Sequence, residues 1–75
     1  MKLVDVKLPS GARLVVTGLG AEYQVGVTLP SGNRFSTRCP TPDAAIDAAE
    51  KWLLDVGQPT VAVLLGAAAR AELRR

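Results

Sequence analysis

The sequence predicts an α+β fold: a four-stranded antiparallel meander of two hairpins, packed against one or two C-terminal helices in the order ββββα(α). Three observations predict it. The pattern V-x-L-P-S-G-x-R-(apolar) occurs twice, from Val6 to Leu14 and again from Val27 to Phe35, at an offset of 21 residues. The runs beside each Pro-Ser-Gly alternate apolar and polar residues, as a strand with one buried side does. From Thr41 onward the apolar period becomes helical.

Each Pro-Ser-Gly reads as a turn. Proline presets the backbone for the first central position, and glycine accepts the positive φ that other residues avoid. Val4, Val6 and Leu8 then share one face, opposite Asp5 and Lys7. Tyr23, Val25, Val27 and Leu29 share a face opposite Glu22, Gln24, Gly26 and Thr28. Strands are expected near 2–8, 13–17, 22–29 and 34–39, with Gly18 to Ala21 as the middle connection. The repeat has two origins open to it: duplication of a hairpin, or a good turn sequence used twice.

Thr41-Pro42-Asp43 opens a helix. Threonine caps, proline fits the first helical position, and an acid suits the positive helix end. Ala45, Ile46, Ala49, Trp52, Leu53 and Val56 fall on one side, with Asp43, Asp47, Glu50 and Lys51 largely on the other. Asp47 and Lys51 are spaced to pair. Gly57 ends the helix as a left-handed cap, and Pro59 confirms the break. Residues 60–75 admit two readings. Thr60 to Leu65 suits a fifth strand ending at Gly66. Thr60 to Arg74 also suits a helix burying Val61, Leu64, Leu65, Ala68 and Ala71. The alanine run and terminal arginines favour the helix.

Length and composition bound the function. Seventy-five residues make one domain, residues 1–75. Histidine is absent and cysteine occurs once, so His/Cys zinc sites, disulfides and Ser-His or Cys-His dyads are excluded. No Gly-rich phosphate loop is present, and no cofactor is expected. No apolar run reaches the ~18 residues of a membrane span. With Met1-Lys2-Leu3-Val4-Asp5 too charged for a signal peptide, a cytoplasmic location in a bacterial host cell is expected. The net charge of +2 is unevenly spread. Residues 43–59 hold Asp43, Asp47, Glu50 and Asp55 against Lys51 alone, while the segments on either side are basic.

Surface residues are therefore the candidates for function. Arg13, Arg34 and Arg38 fall on the outer sheet face, where three arginines can grip phosphates or an acidic protein surface. The plainer reading is a solvated face, since Asp5 and Glu22 interrupt the patch. Asp47 and Glu50 read as solvated charge or as contacts to a basic partner. Leu54 lies among these acids, and either the second helix or a partner covers it, with cover by the second helix the favoured reading. Trp52 and Cys39 read as core or rim packing, with Trp52 also suited to an interface.

Three families resemble parts of this chain. Tyr23-Gln24-Val25-Gly26-Val27, Gly32-Asn33-Arg34-Phe35 and Thr41-Pro42-Asp43-Ala44-Ala45 resemble the strand, turn and helix start of AP2-like and integrase arm-binding domains. That resemblance implies DNA contact through Arg34 and Arg38, although the helix here is acidic. Thr41 to Leu54 resembles the strand-to-helix passage of HicB-like antitoxins, without their Pro-Gly-Cys turn.

The whole chain is similar in size and element order to small phage-encoded anti-CRISPR proteins of type I, I-F-like. The runs Glu22-Tyr23-Gln24-Val25-Gly26-Val27 and Gly57 to Gly66 carry this likeness. It implies a non-enzymatic inhibitor that occupies the surface of a protein partner, a Cas subunit of a type I surveillance complex. A homodimer is compatible with so small a core. The alternative expectation is a small DNA-binding module that uses the exposed sheet face.

Overall fold

Both Pro-Ser-Gly segments form the same turn. Leu8 N–H donates to Ala12 O at 2.8 Å and Gly11 N–H to Leu8 O at 2.9 Å. In the second copy Leu29 N–H donates to Asn33 O and Gly32 N–H to Leu29 O, each at 2.9 Å. Gly11 and Gly32 adopt φ of 102° and 97°, the left-handed region that costs a side-chain-bearing residue energy. The sequence repeat is thus a structural repeat. The computed structural model describes residues 1–75.

The turns close four strands, β1 (Lys2–Lys7), β2 (Arg13–Leu19), β3 (Glu22–Thr28) and β4 (Arg34–Cys39), in one antiparallel sheet of order β1-β2-β3-β4. The middle connection is tighter than the sequence suggests. β2 runs on to Leu19, which pairs with Glu22, so only Gly20 and Ala21 turn the chain. Gly20 has φ of 67°, as a two-residue hairpin loop requires of its first residue. A bulge between Lys2 and Val4 shifts the β1 register. It places Leu3 as well as Val4 against the core, which strict alternation does not allow.

Two helices follow, α1 (Pro42–Asp55) and α2 (Pro59–Leu73). Thr41 caps α1, its Oγ1 accepting from Ala44 N–H at 3.1 Å. Gly57, at φ of 76°, breaks the chain between the helices. Residues 60–66 are therefore helix, with no fifth strand. Both helices lie on one face of the sheet, α2 chiefly over β1 and α1 over β3 and β4. Between the layers sit Val4, Leu14, Val16, Val25, Val27, Ile46, Leu53 and Leu65, all essentially inaccessible. Fully burying each such side chain stabilises the fold by about 1.5–3 kcal/mol. The core is aliphatic, as the sequence implies.

The face that α2 buries differs from the expected one. Ala62, Leu65, Gly66 and Ala69 are buried, while Leu64 is half exposed and Ala71 exposed. The reason is Gly66. Lacking a side chain, it lets α2 rotate and approach α1 so closely that a Cβ there would overlap the Glu50 side chain. Leu54 is corrected too: α2 does not cover it, and it stays 56% exposed. Val56 lies beyond the last turn of α1 and is also exposed.

Candidate interaction surface

The helices cover only one side of the sheet. The other side is bare, and strand register orders its residues into rows. Lys7, Arg13, Thr28 and Arg34 form one row across the four strands. Asp5, Val15, Gly26 and Ser36 form the next. Lys2, Thr17, Gln24 and Arg38 form the third. Strands lie ~4.8 Å apart, so Lys7 and Arg34 are anchored about 14 Å apart. The middle row is low: nothing approaches the position a Cβ would take at Gly26.

The three candidate arginines do share this face, but they are not equivalent. Arg13 is bound to Asp5, its Nε donating to Oδ1 at 2.8 Å and its Nη2 to Oδ2 at 2.6 Å. Lys2 Nζ also donates to Asp5 Oδ2, at 3.0 Å. The Arg13 guanidinium, with Lys2 beside it, holds the Asp5 carboxyl well below the usual carboxylate range. Asp5 reciprocally raises the guanidinium's pKa. One carboxylate thus occupies two of the five cations. Arg34, Arg38 and Lys7 take part in no ion pair. Lys7 completes the row and was identifiable from strand parity, although the arginines alone attract notice in the sequence. Gln24 Nε2 donates to Ser36 Oγ at 2.8 Å and ties β3 to β4 across the bare face.

Asp47 and Glu50 sit elsewhere, between the helices. Arg70 of α2 donates from Nη1 to Glu50 Oε2 at 2.7 Å and from Nη2 to Glu50 Oε1 at 2.8 Å. Its Nη2 also donates to Asp47. Glu50, desolvation opposing it, raises the Arg70 pKa above its ordinary value. These acids are therefore engaged within the fold, and Asp47 turns to Arg70 rather than to Lys51. Sequence spacing along α1 carries no sign of this partner, which lies 20 and 23 residues away. Leu54 lies on the same flank of α1, exposed and apart from the sheet face.

Beside β4 lies a feature that no sequence motif marks. Phe35 and Trp52 stack, with ring centroids 5.3 Å apart and planes 16° from parallel. With Thr37, Cys39, Ala48, Lys51 and Asp55 they line a surface groove of about 250 Å³ between α1 and the sheet edge. A second depression, of about 270 Å³, lies by the two Pro-Ser-Gly turns and is lined by Ser10, Leu29, Pro30, Ser31, Gln58 and Val61. No group of His, Cys, Asp and Glu is placed to hold a metal ion. No helix is long and apolar enough to cross a membrane.

No protein-family model matches this chain, and no curated protein and no solved structure matches it either.

Proposed function

We propose that this protein is a non-enzymatic, protein-binding inhibitor that acts by surface occupation, as the small anti-CRISPR proteins it resembles do, with a type I surveillance complex as its target. The observation that supports this reading is the bare sheet face. It is four strands wide, it carries unpaired Lys7, Arg34 and Arg38, and its centre is low and partly neutralised by Asp5. A sheet face of mixed charge suits a protein surface, where complementary charge steers association and sets specificity. The experiment is direct. The purified protein should bind a purified type I complex, and its expression should restore phage plating on CRISPR-immune cells. If it does neither, the reading falls.

One observation favours a second reading. The row Lys7–Arg13–Thr28–Arg34 runs across the whole sheet, and cations in a line suit a phosphate backbone. A DNA-binding module of this kind binds duplex most tightly at low salt. Absence of duplex affinity there would remove it.

A further inference from the structure

The edge of β4 is open, and its two sides differ in chemistry. β4 pairs only with β3. Leu29 N–H donates to Asn33 O, and these residues are opposite each other at the head of the hairpin. Antiparallel pairing alternates bonded and non-bonded pairs from there. Phe35, Thr37 and Cys39 thus direct their backbone groups to β3, while those of Arg34, Ser36 and Arg38 point away from the sheet. On the outer side of this edge stand the unpaired guanidinium groups of Arg34 and Arg38. On the inner side lies the groove between Phe35, Cys39, Ala48 and Trp52. Phe35, Thr37 and Cys39 are all only half-buried, whereas Val25 and Val27 on the neighbouring strand are fully buried. The helices leave the sheet under-covered at this border.

We propose that the free edge of β4, with the groove beside it, is the docking site for an extended, acidic segment of a partner protein, which adds to the sheet as a fifth strand. This rests on the reading of the protein as a protein binder, and not on the identity of its target. Strand addition takes its affinity from main-chain hydrogen bonds and its specificity from alternate side chains. Here the alternation is dictated. Side chains on one side of the incoming strand enter the groove, against Phe35, Cys39, Ala48 and Trp52, with Thr37, Lys51 and Asp55 completing its lining. Those on the other meet Arg34 and Arg38, and carboxylates satisfy both. The occupant is therefore a segment that alternates Asp or Glu with aliphatic residues.

A second copy of this chain is a poor occupant, for an electrostatic reason. Antiparallel pairing of β4 with itself about Ser36 uses the whole strand, and it sets Arg34 of each copy against Arg38 of the other. Directly opposed like charges destabilise a strand pair. The register centred on Thr37 avoids this but opposes Arg34 to Pro40, which has no N–H to give. Edge charges of this kind are a recognised guard against self-association.

The test uses the intact protein and a capped peptide of six residues, the length of β4, alternating glutamate and valine. Trp52, the sole tryptophan, lines the groove and reports its filling by fluorescence. Saturable binding is expected, with no binding of the peptide carrying lysine for glutamate. Combined Arg34→Glu and Arg38→Glu should raise Kd at least about tenfold, as expected for paired charges lost at an interface. Ser36→Pro removes an amide that points outward, a place where edge strands accept proline, and should abolish binding with the fold retained. If Ser36→Pro unfolds the chain, a glutamate–valine peptide N-methylated on its edge-facing amides replaces it and should not bind. Binding indifferent to peptide charge or to these amides overturns the proposal. So does a concentration-dependent dimer through this edge, or duplex DNA that displaces the peptide. No peptide binding alongside intact capture of a surveillance complex overturns the edge mode and leaves the inhibitor reading standing. Specific peptide binding without such capture supports the edge mode and overturns only the proposed target.

Discussion

Gly66 of α2 packs directly on the side chain of Glu50 in α1. A Cβ at Gly66 would overlap Glu50 Oε2 and stand 2.7 Å from Cδ and 3.0 Å from Cγ. The same carboxylate receives both arms of Arg70, one helical turn further along α2. One small residue thus makes room for the interhelical ion pair.

Gly66→Ala is therefore expected to cost stability although it improves helix propensity. The added Cβ pushes the mobile end of the Glu50 side chain away from Arg70. Charge-assisted hydrogen bonds lost in this way cost about 1.5–3 kcal/mol, and alanine recovers about 1 kcal/mol over glycine in a helix. The net loss should be about 1 kcal/mol, which for a domain this small lowers Tm by roughly 4–8 °C. With Glu50→Ala already in place the obstruction is gone, and Gly66→Ala should then raise stability. A double-mutant cycle by chemical denaturation reads this change of sign. Additive effects would show that the two side chains do not meet.

Leu53 and Leu54 are neighbours with opposite fates. Leu53 is wholly buried and Leu54 is 56% exposed. Leu53→Ala should lose about 2–5 kcal/mol through its cavity. Leu54→Ala should stay within about 0.5 kcal/mol of the parent protein. Thermal and denaturant melts of both variants check the placement of α2, since a helix lying over Leu54 would make the costs alike.

Gly32→Val should damage the fold more than Arg34→Ala. Gly32 has open space around it, so the cost is conformational: φ of 97° is strained for any side chain and worst for a β-branched one. A left-handed conformation costs roughly 1–2 kcal/mol in a residue bearing Cβ. Arg34 makes no ion pair and should melt close to the parent. Equal melting temperatures would count against the turn.

Asp5 should make stability fall in acid. Its folded pKa lies below the ordinary value of 3.8, chiefly through hydrogen bonds from Arg13 and then Lys2. The unfolded chain therefore takes up this proton first as pH falls. The contribution is fully present above the unfolded pKa and is lost as pH falls through the folded one. The Tm difference between the parent and Asp5→Asn should be steady near neutrality and shrink below about pH 4. A difference that grows in acid would reverse the assigned sign. Salt should narrow it at neutral pH, because the pair is exposed.

Much of this fold is legible before any coordinate is known, because its signals are local. Two Pro-Ser-Gly turns, alternation around them, and the Thr41–Pro42 start of α1 depend on residues within a few positions of one another. Parity along each strand places Arg13, Arg34 and Arg38 on a common face for the same reason. Contacts that cross between elements leave no such trace. Nothing near Arg13 says that Asp5 will occupy it, since that meeting depends on which residues the β1–β2 register opposes. The span of the row from Lys7 to Arg34 depends equally on the order of strands. Helical spacing alone would bury Leu64, and it sets Leu54 among the acids of α1, where only a second element could hide it. The rotation of α2 instead follows from close packing at Gly66 and from the pull of Arg70 on Glu50 and Asp47. The groove at β4 exists because α1, lying over β3 and β4, leaves Phe35, Thr37 and Cys39 only partly covered. Local chain stiffness writes the elements into the order of residues, whereas the faces they leave open are set by how their surfaces pack.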